Sequence, residues 1–76
     1  MVTLEIAGGK RDKLRPGDIL GALTGDGGIA GSHVGKINVL EGASFVALQR
    51  DIAQQAFERL SVSKIKGRLF KMRFVE

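Results

Sequence analysis

The chain has 76 residues, with 12 Lys plus Arg against 8 Asp plus Glu, no cysteine and one histidine. At this length folding buries only about 60% of the surface that the unfolded chain exposes, which leaves one small core and excludes a deep catalytic cavity. Without cysteine there is neither a disulfide frame nor a thiolate zinc site, and a single histidine rules out a His-rich metal centre.

No apolar run approaches the roughly 20 residues that span a bilayer, and MVTLEIAGGK lacks the basic start and long apolar stretch of a signal peptide. A single soluble, cytoplasmic domain covering residues 1–76 is expected, with no membrane attachment. Its net charge of +4 is unevenly spread. GKRDKLR (residues 9–15) holds four cations and one anion, and KIKGRLFKMR (residues 64–73) holds five cations and no anion. Were the fold to bring these clusters together, they would suit a polyanion; kept apart, each is ordinary solvated charge.

In chain order, TLEI alternates, with Val2, Leu4 and Ile6 on one side and Thr3 and Glu5 on the other, predicting a half-buried strand that ends in a glycine turn. RPGDILGALTG then predicts a short helix. Pro16 takes a first helical position, Asp18 the first turn, Gly25 the stop, and Ile19, Leu20 and Leu23 one face. The internal Gly21 weakens it. GDGGIAGS is a glycine-rich connection, after which SHVG predicts one helical turn capped by Ser32. KINVL and SFVALQ, joined by EGA, predict an antiparallel hairpin. DIAQQAFERL places Ile52, Ala53, Ala56, Phe57 and Leu60 at helical spacing, the cleanest amphipathic helix in the chain. In RLFKMRFV, Phe70, Met72 and Phe74 alternate with Leu69, Lys71 and Arg73, predicting a strand with one apolar and one basic face.

The order βαββαβ predicts an α+β, ferredoxin-like fold: a four-stranded antiparallel sheet with both helices on one face. With the first and third strands central, alternation puts Thr3, Glu5, Lys36, Asn38, Ala43, Phe45, Ala47, Lys71 and Arg73 on the open face. Val46, Phe57, Leu60, Phe70, Met72 and Phe74 are expected to be buried together, which leaves Phe45 as the aromatic on the open side. An exposed aromatic among cations can stack on a nucleic-acid base at about 1–3 kcal/mol. A one-residue slip of the strand would bury it instead.

EGASFVAL also matches, in reduced form, the RNP1 pattern of RNA recognition motifs: Gly42, Phe45 and Val46 fall on expected positions and Ser44 on a small one, while Glu41, Ala43 and Leu48 depart from it. Other motifs fail. GSHVGK is one residue short of a P-loop, with Ile37 where Ser or Thr should bind magnesium. The glycines of GGK and GDGG are expected to permit positive φ in turns. His33 has no ligand or catalytic partner at useful spacing. Asp18, Asp26 and Glu58 suit a helix end, a turn and a solvated helix face. Nothing in the sequence has the layout of an active site, so a non-catalytic binding module is expected.

GGKRDKLRPGDILGALTGD, HVGKINV and KIKGR, in that order, resemble the C-terminal RNA-binding domain of DbpA/YxiN-type DEAD-box RNA helicases, from Thr3 to Val75. The resemblance implies an RNA recognition motif that binds a hairpin of 23S ribosomal RNA near the peptidyl transferase centre and directs a helicase core in the same parent chain to the assembling large ribosomal subunit. It implies no cofactor and no small-molecule substrate for this domain, since ATP and magnesium belong to the helicase core. It also implies RNA contact by Lys10, Arg11, Lys13 and Arg15 in the first loop, by Lys36, and by Lys64, Lys66 and Arg68 before the last strand, beside Phe45, Lys71 and Arg73 on the sheet. Glu5 stands where such a motif usually offers a first-strand aromatic, which shifts the expected recognition toward loops and sheet edges. The alternative is a ferredoxin-like protein-interaction module that does not bind nucleic acid.

Overall fold

The computed structural model describes residues 1–25 and 28–75; Asp26, read above as a turn residue, lies outside them. The elements are β1 (Val2–Ile6), α1 (Pro16–Thr24), β2 (Val34–Val39), β3 (Ser44–Leu48), α2 (Arg50–Val62) and β4 (Met72–Val75), with short 3-10 turns at Lys10–Asp12 and Gly31–His33. The strands form one antiparallel sheet in the order β2-β3-β1-β4. This is the expected ferredoxin-like α+β architecture. None of the described helices is long and apolar enough to cross a membrane.

Alternation sets the two faces. Leu4, Ile6, Val46 and Leu48 are fully buried and meet Ile19 and Leu23 of α1 and Ala53, Ala56 and Leu60 of α2. On α1, Leu20 is 39% exposed, because one helical step of about 100° from Ile19 carries it off the face that Ile19 and Leu23 share. Connections supply the rest of the core, namely Leu14, Ile29, Ile65 and Phe70.

The last strand is shorter than the alternation of RLFKMRFV predicts. Ile65 and Arg68 close a small hairpin of their own, with backbone bonds of 2.8 and 3.1 Å, so the chain joins β1 fully only from Met72. Phe70 leaves the pleat and is buried, whereas Met72 is half-buried and Phe74 is 37% exposed. The six residues expected to be buried together therefore divide. Val46, Leu60 and Phe70 are buried, while Phe57 packs against the core only in part and meets Phe74 at a ring-centroid distance of 5.3 Å. The cause is position: β4 is an edge strand, and Phe57 reaches out to it from α2.

Two local expectations change. The helical turn before β2 forms at Gly31–His33 with Ala30, not Ser32, ahead of it. Gly8 and Gly9 have no positive φ; among the described glycines only Gly67 does. They are small for a different reason. A Cβ on Gly9 would collide with the Leu40 carbonyl oxygen, and one on Gly8 would stand 2.5 Å from the Phe70 ring.

Candidate nucleic-acid interface

The close approach at Gly8 and Gly9 lets the first loop cross the tip of the β2–β3 hairpin. There Lys10 N–H donates to the Leu40 carbonyl at 2.8 Å and Arg11 N–H to the Glu41 carbonyl at 3.0 Å. Lys10–Asp12 forms one tight turn, held by Gly9 N–H donating to Asp12 Oδ2 at 3.1 Å and closed by Lys13 at φ 63°. Leu14, 2% exposed, drives the loop into the core, so that Lys10, Arg11, Lys13 and Arg15 stay outside. Arg15 then precedes α1, its N–H donating to Asp18 Oδ2 at 3.0 Å.

The 64–70 segment is built against this loop. Lys66 and Gly67 both have positive φ, 54° and 76°, the arrangement of a two-residue type I′ hairpin. Buried Ile65 and Phe70 anchor the segment, and the Arg68 guanidinium lies 5.3 Å from the Phe70 ring centroid. Across the gap, Arg68 Nη1 donates to Asp12 Oδ1 at 2.8 Å and Lys66 Nζ stands 3.6 Å from Asp18 Oδ1. Asp12 and Arg68 are 56 residues apart in the chain.

The two basic clusters are thus brought to one end of the molecule, around a cleft lined by Lys10, Lys13, Leu14, Arg15, Pro16, Val39 and Lys66. Four cations and no carboxylate line it among the described residues. Its apolar floor and long-stemmed ammonium and guanidinium groups suit phosphates, for which Arg offers a planar fork and Lys a point charge. Arg11 and Arg68 flank this end of the fold without lining the cleft, and Lys64 is exposed just ahead of the hairpin.

The remaining expected residues lie elsewhere. Register aligns Asn38, Phe45, Glu5 and Arg73 in a row across the open face of the sheet. Phe45 is half-buried there, and beside it Arg73 donates through Nε and Nη2 to Glu5 Oε1, each at 3.1 Å. The anion at Glu5 is thereby answered by a cation from the next strand. Lys36 is exposed on β2, and Lys71 lines a small groove with Glu5, Ala7, Met72 and Arg73 at the β4 side. Ser44, the small residue of the RNP1-like stretch, is buried and donates to the Gly8 carbonyl at 2.6 Å. Its size is fixed by the core.

Sequence reasoning missed Asp12 entirely and read Asp18 only as a helix-end charge. A signal was present: Gly9 to Asp12 and Arg15 to Asp18 share the three-residue spacing at which a carboxylate reaches back to a free backbone N–H.

The profile of the DbpA RNA binding domain family matches residues 3–74. The ATP-dependent RNA helicase DbpA of Escherichia coli K12 is 46% identical over 76 residues, which are 100% of this chain and 17% of that protein. The ATP-dependent RNA helicase DeaD of Mycobacterium tuberculosis is 33% identical over 73 residues, 96% of this chain and 13% of that protein. The chain therefore spans less than a fifth of the length of these curated relatives. Matched from the first strand to the last and folded into the expected sheet and helices, it belongs to the family of DbpA RNA-binding domains.

Proposed function

We propose that this chain is a single RNA-binding module of a longer ATP-dependent RNA helicase, and that it addresses the helicase core to a hairpin of 23S ribosomal RNA near the peptidyl transferase centre during large-subunit assembly. The observation that carries this is the convergence of Lys10, Lys13, Arg15 and Lys66 on one cleft from opposite ends of the chain. Phosphates held there fix the register of the RNA, while Arg11 and Arg15, with planar donors on the first loop, suit bidentate contact with guanine. Lys64 and Arg68 extend the cationic end. On the open face Phe45 adds one stacking contact, flanked by Lys36, Lys71 and Arg73. Chemistry on ATP and magnesium belongs to the helicase core, and the binding takes place in the cytoplasm.

The test compares the dissociation constants for the 23S hairpin and for the same hairpin with an altered loop, at one salt concentration. Arg11→Ala with Arg15→Ala is expected to erode the ratio between them. Phe45→Ala is expected to weaken both by no more than one stack, about 1–3 kcal/mol, and to leave the ratio nearly intact. If Phe45→Ala collapses the ratio while the arginine pair leaves it unchanged, the sheet face reads the RNA and the first loop does not. Absence of RNA binding by the parent, with capture of a protein partner instead, would favour an interaction module.

A further inference from the structure

A surface that binds a polyanion gains nothing electrostatically from carboxylates, yet Asp12 and Asp18 sit beside the basic residues of this one. Each uses its two oxygens alike. Oδ2 accepts a backbone N–H three residues earlier, from Gly9 or Arg15, and Oδ1 faces a cation of the 65–68 hairpin, Arg68 or Lys66. The two carboxylates thus form a double clasp between a loop and a hairpin that are otherwise joined through buried Leu14, Ile65 and Phe70. The side chains of the bridges are 22–61% exposed, so they are weak as stabilising contacts and open to competition from RNA phosphates.

We propose that Asp12 and Asp18 are positioning residues for RNA recognition, holding the first-loop cations at a fixed spacing from Lys66 and Arg68. This rests on the RNA-binding reading above and deepens it. The two charges lower general attraction to RNA and raise selectivity for an RNA whose phosphates match that spacing.

Asp12→Asn with Asp18→Asn, which changes the net charge by two, is compared with Asp51→Asn plus Glu58→Gln on α2, which changes it equally. The probes are the 23S hairpin and its loop-altered counterpart. The α2 pair should strengthen binding to both RNAs by the same factor. The clasp pair should strengthen binding to the altered hairpin but lower the ratio between the two by about fivefold, the upper end for an exposed ion pair. The effect of Asp12→Asn on the ratio should also vanish in an Arg68→Ala background, which a merely local role in the loop would not cause. A clasp pair that discriminates as well as the α2 pair overturns the proposal while leaving the RNA address standing. A parent that binds both hairpins equally overturns the address, and the clasp with it.

Discussion

Lys66 occupies a backbone conformation that favours another residue. At φ 54° it precedes Gly67 at φ 76°, and Asn-Gly is the preferred pair for such a turn because Asn tolerates the left-handed region. A non-glycine residue there costs about 1 kcal/mol or more. The bridge to Asp18, at 3.6 Å between partly exposed side chains, returns less than about 1 kcal/mol. Lys66→Asn is therefore expected to raise stability in chemical denaturation by about 0.5–1 kcal/mol while weakening RNA binding. A variant that is both less stable and equally tight would show that the lysine is kept for the fold. Lys13, at φ 63° beside the same cleft, has the same character: both strained lysines lie where charge is displayed.

Among the elements, α2 was the most legible in the sequence, yet its period misjudged one neighbour. Ala53, Ala56 and Leu60 are buried as the spacing requires, but Phe57 lies toward the β4 edge against partly exposed Phe74. Phe57→Ala should accordingly cost about 2 kcal/mol, below the roughly 3–5 kcal/mol of a fully enclosed Phe, whereas Leu60→Ala, with no solvent to fill its space, should cost about 2–5 kcal/mol by its fall in denaturation midpoint. If Phe57→Ala is the more damaging, the edge is better covered than its exposure indicates. Strand order, register faces and both helices follow from periodicity and turn residues, which act locally. Phe70 does not, because alternation cannot show that the Lys66–Gly67 turn takes its segment out of the sheet and under Gly8. For the same reason the basic residues were legible as two clusters, but the clasp that makes them one surface joins residues 56 apart and leaves only a spacing behind.

At the scale of the whole molecule, the cationic end and the open sheet face differ in how they should respond to salt. Lys10, Lys13, Arg15 and Lys66 converge where phosphates can be neutralised, and each phosphate so neutralised releases counterions, lowering log K by about 0.7–0.9 per unit of log salt. The Phe45 ring lies in the row with Asn38, Glu5 and Arg73, where the nearest cation already answers a carboxylate, and stacking on a base releases no counterion. Lys64→Ala with Lys66→Ala is thus expected to flatten the salt slope by about 0.7–0.9 for each phosphate that is no longer neutralised, and to weaken cognate and unrelated RNA alike because phosphates carry no sequence. Phe45→Ala should shift the whole line to weaker binding with its slope unchanged. The measurement is a titration of each variant with the 23S hairpin at several salt concentrations. An unaltered slope in the lysine pair would mean that these cations face solvent in the complex; a flattened slope in Phe45→Ala would mean that the ring orders Lys36 or Arg73 against the backbone, so that the two surfaces act on the RNA as one.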